Sequence, residues 1–344
     1  MKLSALLSFA VILFTQVVTA QQMFPYERDI SNKENYILKE ISFKAAEKKD
    51  SITIYGTLAM PKSGFEKLVI IVPGSGADTQ YSHYKLTDKL LQHNIAVYRY
   101  DDRGTGKSGG KNNSANYTID QMSAELYNAF KVLKKTTELN GKKIGMLGHS
   151  QGGMVTMGAY KLGAKPNFLI QWATPVQKHG AFLKYQLTKR PERFTDIFKY
   201  ETLEEKLTVM ESLHKVAEEN PELDSWPLSK KLDKVSKKIG YDEKRYTRFP
   251  YMTLTSEKAV VQKNLEPLYK NADFPLLYIV GSADDFVDAN AETALLKNFA
   301  NPNITVKVYD KLNHYLGNTL LTSESMYAIN ETPANEIANW IKNL

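Results

Sequence analysis

Short runs of aliphatic and β-branched residues alternate with amphipathic stretches along most of the sequence. This alternation is typical of a largely parallel sheet with helices on both faces, because each parallel strand needs a long crossover that a helix can provide. The first two runs are close enough in the chain to form an antiparallel pair. Strands are predicted at 37–44, 51–60, 67–73, 95–100, 142–148, 166–173, 275–281 and 303–309, and helices at 83–92, 118–137, 151–163, 289–299 and 334–343.

The alternation stops between residues 176 and 262. Two charged helical stretches, 202–220 and 227–240, follow one another there, and the strand signal returns only at Pro275. A separate C-terminal domain is a poor explanation, because the strands after the interruption are too few to close a sheet. We therefore predict a core formed by 21–175 and 263–344, with a helical insertion at 176–262.

The first twenty residues have the features of a secretory signal. They contain Lys2, an apolar run at 6–14 and the small-residue pattern Val-Thr-Ala at 18–20. The apolar run is short for a bilayer span, which favours cleavage after Ala20 over an uncleaved anchor. No later segment is apolar enough to span a membrane. We expect an exported protein, periplasmic or secreted, with no membrane span after removal of the signal.

Charge and cysteine usage exclude several function classes. The 344 residues carry a net charge of +7, but lysines are interleaved with acidic residues and no run of five basic residues occurs. This pattern favours a solvated surface, so no nucleic-acid partner is expected, and a polybasic membrane patch is only weakly supported. The chain has no cysteine, which excludes disulfides and thiol catalysis.

The octapeptide MLGHSQGG at 146–153 places Ser150 between a predicted strand and a predicted helix. This is the context of a nucleophile elbow, a sharp turn that exposes a serine hydroxyl at the carboxyl edge of a sheet. Gly148 and Gly152 suit such a turn, because the backbone passes too close to its neighbours for a side chain. The motif is short enough to occur by chance, so its significance depends on distant residues.

A serine hydroxyl is a weak nucleophile without a base, and the chain has six histidines. Five lie in the elbow, near the first crossover helix or in the insertion: His149, His83, His93, His179 and His214. His314 alone follows the last predicted strand directly, in a loop. The loop GSADDFVDAN at 281–290 supplies carboxylates that could orient its imidazole. The order serine, acid, histidine is that of the α/β-hydrolase arrangement.

With these motifs the chain resembles α/β-hydrolase fold enzymes, close to lidded carboxylesterases and serine aminopeptidase-like hydrolases. The resemblance covers nearly all of the chain after residue 20. Four segments carry it: IIVPGSGAD at 70–78 for the oxyanion loop, DDRGTGKSGG at 101–110 for an Asp-Arg-Gly-x-Gly-x-Ser segment, GSADDFV at 281–287 for Gly-x-x-Asp-x-x-Val, and LNH at 312–314 for the histidine loop. Pro73 departs from the pattern, since many relatives have histidine there.

The resemblance implies roles for further residues. Its register selects Asp284 rather than Asp285 as the triad acid, and it makes the insertion at 176–262 a lid over the active site. Aromatic residues of the insertion could line an acyl or alcohol pocket, although most are expected to be lid core: Phe182, Tyr185, Phe198, Trp226, Phe249 and Tyr251.

The resemblance also implies an oxyanion hole made of backbone N–H groups. One comes from the residue after the nucleophile, Gln151, and the other from the loop after the third strand, where Ser75 is our choice. Gly74 and Gly76 would let this loop approach the substrate.

Two other motifs suggest binding sites that we do not expect. GTGKS at 104–108 is similar to a phosphate-binding loop, but the motif needs a glycine at position 101, which is Asp101. Asp102 and Arg103 are expected to brace this loop instead. The acidic residues Asp284, Asp285 and Asp288 lack the glycine and terminal glutamate of a calcium loop, and Asp288 is expected to cap the following helix. No metal and no cofactor is expected.

The sequence therefore predicts an exported serine hydrolase that cleaves carboxylic esters of small molecules. Ser150, His314 and Asp284 would form a triad that works through an acyl-enzyme. Three alternatives stay open: a serine peptidase of the aminopeptidase-like type, a thioesterase or acyltransferase, and a non-catalytic binding module on a hydrolase fold.

Overall fold

The structure is a computed structural model, which describes residues 24–47, 50–112, 116–191, 202–239, 254–318, 320 and 322–344. The signal predicted at 1–20 lies outside these residues, as do the insertion aromatics Phe198, Phe249 and Tyr251. Within the described ranges, no helix is both long and apolar enough to cross a membrane.

A single sheet organises the described part of the chain. Its strands are β1 (Tyr36–Glu47), β2 (Asp50–Pro61), β3 (Lys67–Val72), β4 (Ile95–Tyr100), β5 (Lys143–His149), β6 (Leu169–Trp172), β7 (Leu276–Gly281) and β8 (Ile304–Tyr309). Their order is β1-β2-β4-β3-β5-β6-β7-β8. β1 pairs antiparallel with β2 and β2 with β4, whereas all later pairs are parallel. The mostly parallel sheet and the antiparallel leading pair are as predicted.

The central strands are apolar along their whole length because helices cover both faces of the sheet. Every residue of β4 and of β7 is buried. β6 is shorter than the strand predicted at 166–173. Asn167 pairs instead with Ile144 near the start of β5, through its backbone N–H and its side-chain oxygen, both at 2.8 Å. These bonds hold residue 167 in a turn before β6 begins.

The helices of the described residues lie between or beyond these strands. They are α1 (Tyr84–Gln92), α2 (Ile119–Leu133), α3 (Gln151–Lys161), α4 (Ala181–Lys189), α5 (Leu203–Glu218), α6 (Ser225–Lys238), α7 (Thr255–Gln262), α8 (Glu266–Lys270), α9 (Ala289–Asn298) and α10 (Glu331–Lys342). α10 begins three residues before the predicted start at 334. Proline is tolerated in the first turn of a helix, so Pro333 does not delay it.

The chain segment that contains helices α4 to α7 leaves the core and returns to it at one place. The backbone N–H of His179 donates a hydrogen bond of 2.7 Å to the carbonyl oxygen of Lys263, so the two ends of the segment meet. Between these ends the helices bury a cluster of their own, apart from the main core: Leu187, Val209, Met210, Leu213, Val216, Ala217, Leu228, Leu232 and Val261. The helical stretches predicted at 202–220 and 227–240 are present as α5 and α6.

A buried carboxylate on the core holds the start of this segment. Glu292 of α9 is fully buried, and one of its oxygens accepts the backbone N–H groups of Val176 and Gln177, each at 2.9 Å. Burial raises the pKa of Glu292 from 4.5 to about 7. The carboxylate thus fixes the point where the chain leaves β6, at the cost of burying a charge.

Glu292→Gln is expected to reduce the pH dependence of stability. Because the pKa of Glu292 is raised in the folded state, the folded chain binds more protons than the unfolded chain between pH 4.5 and about 7, so this residue's contribution to stability falls as pH rises through that window. Glutamine keeps an acceptor but cannot ionise. The free energy of unfolding, measured by denaturant at both ends of the window, should change less in the variant, by roughly 3 kcal/mol at most. An identical change in both proteins would contradict this.

Candidate active site

Ser150 occupies a strained turn between β5 and α3. Its backbone angles are φ 54° and ψ −123°, a conformation that residues with a side chain rarely adopt. The backbone N–H of Ser150 donates a 2.8 Å hydrogen bond to the carbonyl oxygen of Trp172, which ties the turn to the end of β6. The serine therefore lies at the carboxyl edge of the sheet, immediately before the N-terminus of a helix.

Glycines are required around this turn because the backbone is too crowded for a Cβ atom. A Cβ at Gly148 would overlap the backbone of Gly152 and Gly153, and one at Gly152 would overlap carbonyl oxygens at the end of β3. Both positions are those predicted from the sequence. Gly153 has the same constraint, since its Cβ would overlap the side chain of Thr174. This third glycine was not among the positions predicted from the sequence.

His314 and Asp284 meet in the loops that follow β8 and β7. The Nδ1 atom of His314 lies 2.7 Å from Oδ2 of Asp284, and both side chains are almost fully buried. The other carboxylate oxygen of Asp284 accepts the backbone N–H groups of Phe286 and Val287, at 2.7 and 2.9 Å. Asp284 is thus held in place by its own loop while it accepts the imidazole N–H.

The neighbouring carboxylate faces a different partner. Asp285 accepts hydrogen bonds from the guanidinium of Arg190, at the end of α4, with its Nε atom at 2.9 Å. Both side chains of this pair are more than a third exposed. A second contact joins α4 to the same loop, since the Tyr185 hydroxyl donates to the carbonyl oxygen of Asp284 at 2.7 Å. The two adjacent aspartates are therefore distinguished by partner, one on His314 and one on α4.

The backbone carbonyl of His314 is also held in place, by ring nitrogens of Trp172 and His149. Trp172 Nε1 donates to the carbonyl oxygen of His314 at 3.1 Å, and His149 Nε2 lies 3.4 Å from the same oxygen. Burial, followed by the neighbouring His314, lowers the pKa of His149 far below 6.5, so its ring is neutral. Sequence reasoning set His149 aside as a base and passed over Trp172. Nothing local marks them, because these contacts span 165 and 142 residues.

A cavity of about 200 Å³ connects the residues proposed from the sequence. Ser150, Gln151, Ser75, Gly74 and His314 line it. A Cβ at Gly74 would lie only 3.3 Å from Cβ of Ser150, so the loop after β3 passes directly over the serine. Gly76 has space around it, but its φ of 139° favours glycine. The rest of the wall includes residues of α4 and α7: Phe182, Leu183, Gln186, Glu257 and Val260.

Glu257 is the acidic side chain that lines this cavity. Among the described residues it forms no ion pair and no hydrogen bond, and burial raises the pKa of its carboxyl above 4.5. A carboxylate without a partner beside a cavity can bind a cationic or hydrogen-bond-donating group of a ligand. No sequence motif marks Glu257, which lies on an otherwise ordinary helix.

Asp78 supports the loop after β3 from behind. Its carboxylate accepts the hydroxyl of Tyr327 at 2.5 Å, and its backbone N–H donates to Asp102 at 2.9 Å. Burial raises the pKa of Asp78 to about 7. Tyr327 also lines the cavity and packs against His83, with ring centroids 3.8 Å apart. This network links the loop after β3 to the segment after His314.

The segment 101–110 braces loops. Asp101 is fully buried and accepts the backbone N–H groups of Gln80 and Lys107, each at 2.9 Å. Arg103 pairs with the buried carboxylate of Glu125. Asp102 accepts the backbone N–H of Asp78 at 2.9 Å, so Asp102 and Arg103 both have the bracing contacts expected from the sequence. Lys107 lies at the surface, with its Nζ 2.6 Å from Oε2 of Glu40.

The third aspartate of the acidic loop caps a helix, as expected. Asp288 accepts the backbone N–H groups of Asn290 and Ala291, at 3.0 and 3.1 Å, at the start of α9. In the parts of the chain that the structure describes, no three histidine, aspartate or glutamate side chains come together as metal ligands would.

Comparisons with known proteins give one match to a family model. A model of the hydrolase family described as serine aminopeptidase, S33, matches residues 64–319, a span that includes Ser150, Asp284 and His314. No curated protein sequence matches the chain.

Several solved structures share the fold. An esterase from Pyrococcus furiosus is 17% identical, with a TM-score of 0.57 over 94% of this chain and 98% of that one. A thermophilic esterase from Thermogutta terrifontis, solved with malate bound, is 16% identical, with a TM-score of 0.52 over 89% and 98%. An α/β hydrolase from Penicillium is 14% identical, with a TM-score of 0.57 over 89% and 98%. At these identities the likeness establishes the α/β-hydrolase fold.

Proposed function

Since the chain belongs to the serine aminopeptidase S33 family and is a serine hydrolase of the α/β-hydrolase fold, we propose that it is an exported carboxylesterase. Ser150 is its nucleophile, His314 its general base and Asp284 the acid that orients His314. The observation that carries this proposal is the 2.7 Å bond between His314 Nδ1 and Asp284, on a cavity that Ser150 also lines. Export rests on the signal-like features of residues 1–20.

The mechanism follows from these roles. The Ser150 hydroxyl attacks the ester carbonyl carbon while its proton passes to Nε2 of His314, and Asp284 stabilises the imidazolium through Nδ1. The backbone N–H groups of Gln151 and Ser75 stabilise the oxyanion. The tetrahedral intermediate collapses, and the alkoxide leaves with the proton of His314. Water, deprotonated by His314, then attacks the acyl-enzyme and releases the carboxylic acid and Ser150.

The substrate we propose is an ester with a small or medium acyl group. The cavity of about 200 Å³ is modest, and its apolar wall comes partly from Phe182, Leu183 and Val260. These residues belong to α4 and α7, so the helical segment would act as the lid that selects the acyl chain.

A panel of p-nitrophenyl esters of graded chain length tests this proposal directly. We expect hydrolysis with kcat/KM highest for short or medium acyl chains, because longer chains exceed the cavity. Absence of hydrolysis for every ester by a folded protein would contradict the esterase assignment.

Glu257 favours a second candidate function, an aminopeptidase. Its unpartnered carboxylate on the cavity wall could bind the ammonium group of a substrate with a free N-terminus. Aminoacyl p-nitroanilides separate the candidates. A peptidase should hydrolyse them better than the esters and lose on the order of tenfold or more in kcat/KM in Glu257→Gln. An esterase should show the opposite preference and little effect of this variant on neutral esters.

Excision of the insertion is expected to change chain-length preference and to preserve chemistry. Residues 180–262 can be replaced by a short Gly/Ser linker, because His179 and Lys263 are already hydrogen-bonded to each other. Val176 and Gln177 stay in place, anchored by Glu292. Activity on an acetate ester should persist, reduced by about tenfold through loss of the Tyr185 contact to the Asp284 loop.

The chain-length profile provides the decisive comparison. Loss of the apolar wall should flatten the dependence of kcat/KM on acyl length. A folded, monodisperse variant that kept the original profile would show that the insertion does not form the specificity pocket.

A further inference from the structure

The exposed face of α6 is built from lysines and a tryptophan. Trp226, Lys230, Lys234 and Lys237 follow one another at intervals of four, four and three residues, and all are exposed. This spacing places them in one stripe along a helix. We call these four residues the α6 stripe. Because other residues separate the lysines in sequence, no basic run reveals the stripe.

No described acidic side chain neutralises the charges of the α6 stripe. Among the described residues none of its lysines forms an ion pair, and α6 contains a single acidic residue, Asp233, which is half-buried. Trp226 is 69% exposed, and the ammonium of Lys230 lies 4.9 Å from its ring centroid. A large aromatic side chain is thus exposed to water within a patch of positive charge.

We propose that the α6 stripe docks the protein on an anionic lipid surface. Lysines near such a surface are attracted to the headgroups, and an indole ring prefers the boundary between headgroups and acyl chains. The opposite face of α6 is already occupied, since Leu228 and Leu232 are buried in the insertion's own cluster. Docking therefore uses Trp226 as its apolar contact and is shallow. A nucleic-acid strand fits less well, because proteins bind single strands in grooves and this stripe lies along an exposed helix face.

The docking helix is joined to the wall of the cavity. The hydroxyl of Ser225, next to Trp226, lies 3.1 Å from that of Thr255 and accepts the ammonium of Lys258, also at 3.1 Å. Both partners belong to α7, which contributes Glu257 and Val260 to the cavity. Docking through α6 therefore anchors the protein one helix away from its candidate active site. The inference goes beyond the proposed esterase activity and does not depend on it.

Cosedimentation with lipid vesicles tests the proposal. The chain should begin at Gln21, because an uncleaved leader would bind lipid by itself. It should bind vesicles containing phosphatidylglycerol and bind pure phosphatidylcholine vesicles much more weakly. The variant K230E/K234E/K237E should lose binding by on the order of 100-fold or more. The control K131E/K134E/K135E changes the net charge equally, at exposed lysines in and after α2, and should keep most of the binding.

Tryptophan fluorescence gives a second readout. The chain has three tryptophans, of which Trp172 is fully buried and Trp340 half-buried. Phosphatidylglycerol vesicles should therefore shift the emission of Trp226 to shorter wavelength, and the shift should vanish in Trp226→Phe. Thermal unfolding verifies that each variant is folded.

Three results would overturn the proposal. The first is no binding to phosphatidylglycerol vesicles. The second is an equal loss of binding in the control variant, which would show that binding depends on the net charge of the protein and not on the α6 stripe. The third is binding without the fluorescence shift, together with equal affinity for soluble heparin, which would make the stripe a general polyanion site.

Discussion

Ser150→Ala is expected to reduce kcat for ester hydrolysis by on the order of 10⁶-fold, to a level set by the remaining oxyanion donors. The variant removes the atom that forms the acyl-enzyme and keeps the Cβ, so the strained turn at φ 54° is unchanged in shape. Stability should accordingly stay close to that of the parent chain. Initial rates on the best p-nitrophenyl ester and a thermal unfolding curve measure the two quantities.

Covalent labelling provides the matched control. A reactive organophosphonate should modify the parent chain at Ser150, as identified by peptide mass spectrometry, and should leave the variant unlabelled. Retention of most of the activity by a folded Ser150→Ala protein would remove Ser150 as the nucleophile, whatever the position of His314.

Asp284→Asn is expected to lower kcat by about 10⁴-fold, and Asp285→Asn to change it by no more than a few-fold. Asparagine at 284 can still accept the backbone N–H groups of Phe286 and Val287. It presents an amide to His314 Nδ1 and no longer stabilises an imidazolium. The adjacent variant is an unusually close control, because it makes the same chemical change one residue away.

The effect of Asp285→Asn should be limited to stability. This residue loses its ion pair with Arg190, and both side chains of the pair are more than a third exposed, so the expected cost is about 1 kcal/mol or less. Steady-state kinetics of both variants on one ester decide which aspartate is the triad acid. A large loss of kcat in Asp285→Asn with a small loss in Asp284→Asn would identify Asp285 as the triad acid.

Local patterns in the sequence determined the main features of the fold. The alternation of apolar runs and amphipathic stretches predicted the strands and the crossover helices, because burial on both faces leaves a signature within each segment. The strand–helix alternation stops after residue 176, and the amphipathic stretches that follow predicted a helical segment, because a helix that is buried on one face also leaves a local signature. Gly148 and Gly152 were recognisable beside Ser150, since backbone crowding at a sharp turn allows no other residue there.

The tertiary structure alone decided the surroundings of the candidate site. Trp172 and His149 hold the carbonyl of His314, Glu257 lines the cavity, and Arg190 draws Asp285 away from the imidazole. These contacts join residues about 95 to 165 apart or on different elements, and no local spacing encodes them. A side chain's partner depends on which loops the sheet brings to one edge. The sequence therefore determines the strands, the elbow and the order of the candidate triad, whereas the side chains that surround and hold the triad follow only from packing.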